Sequence, residues 1–112
     1  MTKRRSSRRI MLPMIVIVWE FQVQREKIAR FEQTYSSKGP WAALFRRSSD
    51  YIDTSLLCDS VFPARYLVID RWETREAYDH FKRDFAAEYN RLDQECEELT
   101  RTEKLLGIFD AL

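Results

Sequence analysis

The residues with most to offer a functional site are aromatic: three Trp, five Tyr and seven Phe in a chain of 112. Aromatic side chains dominate ordinary cores, and the same supply also suits an aromatic-lined cavity. Titratable chemistry is sparser. His80 is the sole histidine, and Cys58 and Cys96 form no CxxC pair. That set does not make a structural zinc site, so no metal is expected. Two buried, reduced thiols fit a cytoplasmic protein. Cys96 falls on an apolar helical stripe and reads as a small buried hydrophobe rather than a nucleophile. His80 adjoins Phe81 but lies off the centre of that stripe. It becomes functional only if a cleft surrounds it.

Strands and helices must position these groups. Residues 14–24, MIVIVWEFQVQ, are rich in β-branched and aromatic residues. Strand alternation puts Ile15, Ile17, Trp19, Phe21 and Val23 on one face, with Met14, Val16, Val18, Glu20 and Gln22 on the other. Residues 25–36 carry Ile28, Phe31 and Tyr35 at helical spacing, with Gly39 expected as the C-cap. Pro40 can open a short helical turn, PWAALFRR. Residues 51–58 and 65–72 read as the second and third strands. Asp70 and Arg71 alternate there, so they point to opposite faces and cannot pair within the strand. Trp72 ends that strand and can wall a pocket or close the core edge.

Thr74 is a good N-cap for a long helix. Its stripe is Tyr78, Phe81, Phe85, Tyr89, Leu92, Cys96 and Leu99, in steps of three and four. A break near Asn90 is allowed. Residues 104–112 form a last strand. The order is βαββαβ, an α+β ferredoxin-like arrangement: a four-stranded antiparallel sheet with both helices on one face.

The helix-free face would then carry aliphatic side chains such as Val16, Val18 and Ile108. A soluble monomer rarely leaves such a patch bare. A homodimer formed by sheet-to-sheet packing is the expected solution.

Charge is unevenly placed. Residues 1–10 hold five basic side chains, which leaves 14 basic against 18 acidic for the rest. A nucleic-acid footprint would rest on the tail alone, so nucleic acid is not an expected partner. The front end resembles a basic signal followed by an apolar run. However, Pro13 interrupts it, no small-residue cleavage site follows, and the run is shorter than the ~20 residues that span a bilayer. Residues 1–13 are therefore read as a disordered basic extension and residues 14–112 as the single folded domain.

At this point the chain resembles the antibiotic biosynthesis monooxygenase family of dimeric α/β barrels. The likeness rests on MIVIVWEFQV, on Gly39-Pro40-Trp41, and on RYLVIDRWETREAYDHF, most of all on its segment Trp72 to Ala77. It covers residues 14–112. It implies a cavity between sheet and helices in each protomer, and oxygenase chemistry that needs no metal, flavin or other cofactor. A phenol or quinol would lose a proton and its anion would reduce O2. The protein would bind the ring, stabilise the anion and exclude water. Trp19, Trp41, Tyr51, Tyr66, Trp72 and Tyr89 are the substrate-binding candidates. Arg71 is the candidate anion stabiliser, and His80 or Glu20 the proton acceptor. Many members carry His where this chain has Phe81. The heme-degrading branch uses a first-strand Asn that this chain lacks, so heme is not an expected ligand.

Two other readings stay open. One is a non-catalytic binding or structural dimer whose cavity is filled by its own side chains. The other makes the basic tail a tether to anionic lipid or nucleic acid.

Overall fold

A computed structural model describes residues 13–112. The expected basic extension lies outside the described residues, except for Pro13. Eight elements follow in order: β1 Ile15–Val23, α1 Ile28–Tyr35, α2 Pro40–Phe45, β2 Tyr51–Cys58, β3 Arg65–Trp72, α3 Arg75–Asp84, α4 Ala86–Cys96 and β4 Thr100–Asp110. A 3-10 turn at Arg25–Lys27 leads into α1, and another at Glu97–Leu99 leads into β4. The strands form one sheet in the order β2-β3-β1-β4, and every neighbouring pair is antiparallel. This is the expected ferredoxin-like α+β fold.

Alternation sets the two faces of the sheet. Ile15, Ile17, Phe21 and Val23 of β1 are buried with Tyr66, Val68, Asp70 and Trp72 of β3. Phe31 and Tyr35 of α1, Trp41, Ala42 and Phe45 of α2, and Tyr78 and Phe81 of α3 cover them. Trp72 and Phe31 are fully enclosed. Each such ring removes a large apolar area from water, worth roughly 1.5–3 kcal/mol. Thr74 caps α3 as expected, its hydroxyl accepting from the Ala77 N–H at 3.0 Å.

The chain departs from its sequence reading in three places. The long helix does break, but at Phe85 (φ −115°, ψ 30°) rather than near Asn90. The Phe85 N–H still donates to the Phe81 carbonyl and the Tyr89 N–H to the Phe85 carbonyl, so the break is a kink between two hydrogen-bonded helices. Gly39 does not cap α1 with a left-handed residue. Its φ is −87°, and it serves as the N-cap of α2. Glycine is needed there because a Cβ would lie 2.4 Å from the carbonyl oxygens of Gln33 and Thr34. Finally, β4 starts four residues early, at Thr100, and shifts register against β1 at Val18/Trp19. Ile108 therefore sits opposite Ile17, on the helix-covered face and not on the open one.

The open face keeps an apolar centre. Val18 faces Ile69, Leu57 faces Leu67, and Val16 faces Phe109, which is 52% exposed. Charged pairs flank this strip. Arg71 donates to Asp53 at 2.9 Å, and Arg65 donates to Glu20 at 2.6 Å and to Asp59 at 2.7 Å.

Candidate functional site

A cavity of about 120 Å3 opens between the helix-covered face of the sheet and the helices. The sheet contributes Trp19 and Phe21 from β1, Thr54 from β2, Val68 and Asp70 from β3, and Glu103 from β4. The helices contribute Tyr35, Trp41, Phe45, Tyr89 and Asp93. Burial grades this wall. Trp41, Phe45, Thr54, Val68 and Asp70 are buried, whereas Trp19, Tyr89 and Asp93 are half-buried and Glu103 is exposed. The first group forms the deep end and the second the mouth. The rings brace one another: Trp41 meets Tyr89 edge-on at 5.0 Å and Phe45 at 5.7 Å. The buried indole N–H of Trp41 points toward the Tyr35 hydroxyl and the Cys96 sulfur, without a well-formed hydrogen bond among the described residues.

The chemically distinctive group is Asp70, 6% exposed at the deep end. Strand alternation carries it inward with Tyr66, Val68 and Trp72, and cross-strand pairing places Thr54 opposite it. The Thr54 hydroxyl donates to Asp70 Oδ1 at 2.6 Å. A hydroxyl has one hydrogen, so the 2.6 Å contact between Tyr51 and Thr54 must have the Tyr51 O–H as donor. Tyr51, Thr54 and Asp70 thus form a directed chain. Burial pushes the Asp70 carboxyl up to about 6, with Asp53 adding to the rise, while Thr54 and Arg71 oppose it. Burial raises the Tyr89 phenol and pushes that of Tyr78 up to about 12. At the mouth, partial desolvation of its carboxyl raises Glu103 although the residue as a whole is exposed, and Asp93 and Glu97 add like charge. Among the described residues, no three His, Cys, Asp or Glu side chains gather as metal ligands.

The cavity gathers only part of the expected set. Trp19, Trp41 and Tyr89 line it, and Tyr51 stands behind it through Thr54. Trp72 is core, packed at 5.4 Å from Tyr51 and 5.6 Å from Phe45, with its indole N–H unpaired among the described residues. Tyr66 lies elsewhere and donates to Glu32. Arg71 and Glu20 stand on the open sheet face, paired with Asp53 and Arg65. His80 lines a surface groove with Asp50, Glu76 and Asp84. The three acid–base candidates therefore neither meet one another nor enter the cavity. Asp70, Thr54, Tyr35, Asp93 and Glu103 were not anticipated there. For Asp70 a signal existed: it is a carboxylate in phase with the apolar set of its strand.

The family model described as antibiotic biosynthesis monooxygenase matches residues 14–87. No curated protein matches the chain significantly in sequence. Among solved structures, SnoaB, a cofactor-independent oxygenase from Streptomyces nogalater, is 20% identical with a TM-score of 0.66, covering 89% of this chain and 94% of that one. A conserved protein from Methanosarcina mazei Go1 is 15% identical with a TM-score of 0.68, covering 90% and 95%. PA3566 from Pseudomonas aeruginosa is 14% identical with a TM-score of 0.66, covering 91% and 97%. At these identities the solved structures speak for the fold, while the family match extends from β1 into the start of α4 and takes in the strand that carries Asp70. On that match the chain belongs to the antibiotic biosynthesis monooxygenase family.

Proposed function

We propose that the protein is a cofactor-independent monooxygenase acting on a single-ring phenol or hydroquinone. The observation that supports this most is Asp70, a buried carboxylate at the deep end of an aromatic cavity. A base with a pKa near the working pH transfers protons well in both directions. Asp70 takes the proton of the ring hydroxyl, and Thr54 and Tyr51 hold its carboxylate in place. The phenolate donates an electron to O2, and the two radicals join at a ring carbon to give a hydroperoxide. Loss of water leaves a quinone. The balance is one phenol and one O2 to one quinone and one water. The aromatic walls hold the ring and keep water away.

A cavity of about 120 Å3 sets the size of the substrate. It is below the ~300 Å3 of common ligand pockets and near the ~150 Å3 that holds a benzene in an engineered core. One ring fits, and larger groups must leave through the mouth. The small volume also favours the second reading, a non-catalytic dimer whose side chains fill the space. Oxygen uptake with a panel of single-ring quinols separates the two. Uptake lost in Asp70→Asn supports the oxygenase, and no uptake with any ring supports the filled cavity.

The same reading takes the open sheet face as the contact with a second copy. Its apolar strip of Val16, Val18, Leu57, Leu67 and Ile69 needs cover, and the flanking charge pairs suit a self-complementary rim. Among the described residues no helix is long and apolar enough to cross a membrane. Cys58, exposed rather than buried as expected, and the buried Cys96 are both free thiols, which favours the cytoplasm.

A further inference from the structure

The cavity's charge is one-sided. Among the described residues, Asp70, Asp93 and Glu103 line it, and no Lys, Arg or His does. None of the three is in a salt bridge among the described residues. Asp70 uses one oxygen for Thr54; the other makes no hydrogen bond among the described residues, in a side chain more than nine-tenths buried on the cavity wall. Open to the cavity, that oxygen is free to accept a hydrogen bond from a ligand. An anionic ring would meet repulsion at both ends. The aromatic walls carry the opposite preference, because ring faces attract cations. Tyr89 already shows it: Lys82 Nζ lies 5.2 Å from that ring's centroid. Ring faces beside carboxylates suit an organic cation, which both can contact at once.

We propose that the substrate's ring bears a protonated amine, which Glu103 and Asp93 hold at the cavity mouth while the ring hydroxyl reaches Asp70. This rests on the reading of the cavity as a ring site. It also repairs a weakness of that reading, because the ammonium offsets the negative charge left on the ring when Asp70 takes its proton. Tyr89, Asp93 and Glu103 lie beyond the residues that match the family model, so this selectivity belongs to the chain's own last third.

The test is anaerobic calorimetry on the full chain at pH 7.5 with three phenols that differ only in their tail: tyramine, 4-ethylphenol and 4-hydroxyphenylacetate. Tyramine should bind at least about tenfold more tightly than 4-ethylphenol, and 4-hydroxyphenylacetate should not bind. The double variant D93N/E103Q should bring the ratio of tyramine to 4-ethylphenol close to one. Equal binding of all three, or a tyramine preference that survives the double variant, overturns the inference and leaves the ring site standing. Failure of every phenol to bind overturns both.

Discussion

Thr54 Oγ1 lies 2.6 Å from Asp70 Oδ1, and the bond crosses the β2–β3 ladder at a point where the register makes the two residues direct partners. Sheet geometry therefore sets the position of the one carboxylate at the deep end of the cavity. Thr54→Val keeps the shape and removes the donor. Thr54 lowers the Asp70 pKa, so its loss should move the midpoint of the pH–rate profile upward from about 6. An unchanged midpoint would show that Thr54 is only packing.

Asp70 also sets a trade between stability and activity. Its folded pKa, about 6, stands above the 3.8 of an unperturbed aspartate, so the folded state holds the proton more tightly. Stability from this group is present in full below pH 3.8 and is lost as pH rises to about 6. The loss is at most about 2–3 kcal/mol. Asp70→Asn should thus melt higher than the parent at pH 8 and equal to it near pH 4. A variant that melts lower at pH 8 would mean that the ionised carboxylate stabilises the fold.

Gly39 has a steric role, not a conformational one. Gly39→Ala forces a methyl against the carbonyls of Gln33 and Thr34, which are backbone and cannot swing away. Urea unfolding should show a loss of about 1–3 kcal/mol, the usual cost of overpacking. An unaffected midpoint would show that the α1–α2 connection shifts freely.

The proposed dimer depends on the strip where Val18 faces Ile69. Val18→Lys places a charge at its centre while leaving the helix-covered core alone. Light scattering should change from dimer to monomer. The parent's melting temperature should rise with protein concentration, and the variant's should not. A parent that is monomeric at micromolar concentration would refute the interface.

Much of the fold was legible because strand alternation is local. The spans of β2 and β3 follow from YIDTSLLC and RYLVIDRW alone, and the inward set of β1 holds at Ile15, Ile17, Phe21 and Val23. What failed depends on contacts between distant segments. Ile108 changed faces because β4 starts at Thr100 and slips against β1. Gly39 was read for its φ when the constraint is a neighbouring backbone. The site was read by residue type, which selected Arg71, Glu20 and His80. Phase separates the first two from the cavity wall: Arg71 and Glu20 alternate outward, and Asp70, one residue before Arg71, alternates in. Glu103 could not be placed without the β4 register.

The central claim is that Asp70 supplies the base for oxygen chemistry on a single ring. Oxygen uptake with a hydroquinone at pH 8, with a metal chelator and no flavin, tests it most directly. The parent should consume one O2 per quinone formed, and Asp70→Asn should be slower by at least about a hundredfold, the scale of a lost general base. Equal rates in parent and variant, or no uptake by the folded parent, would contradict it.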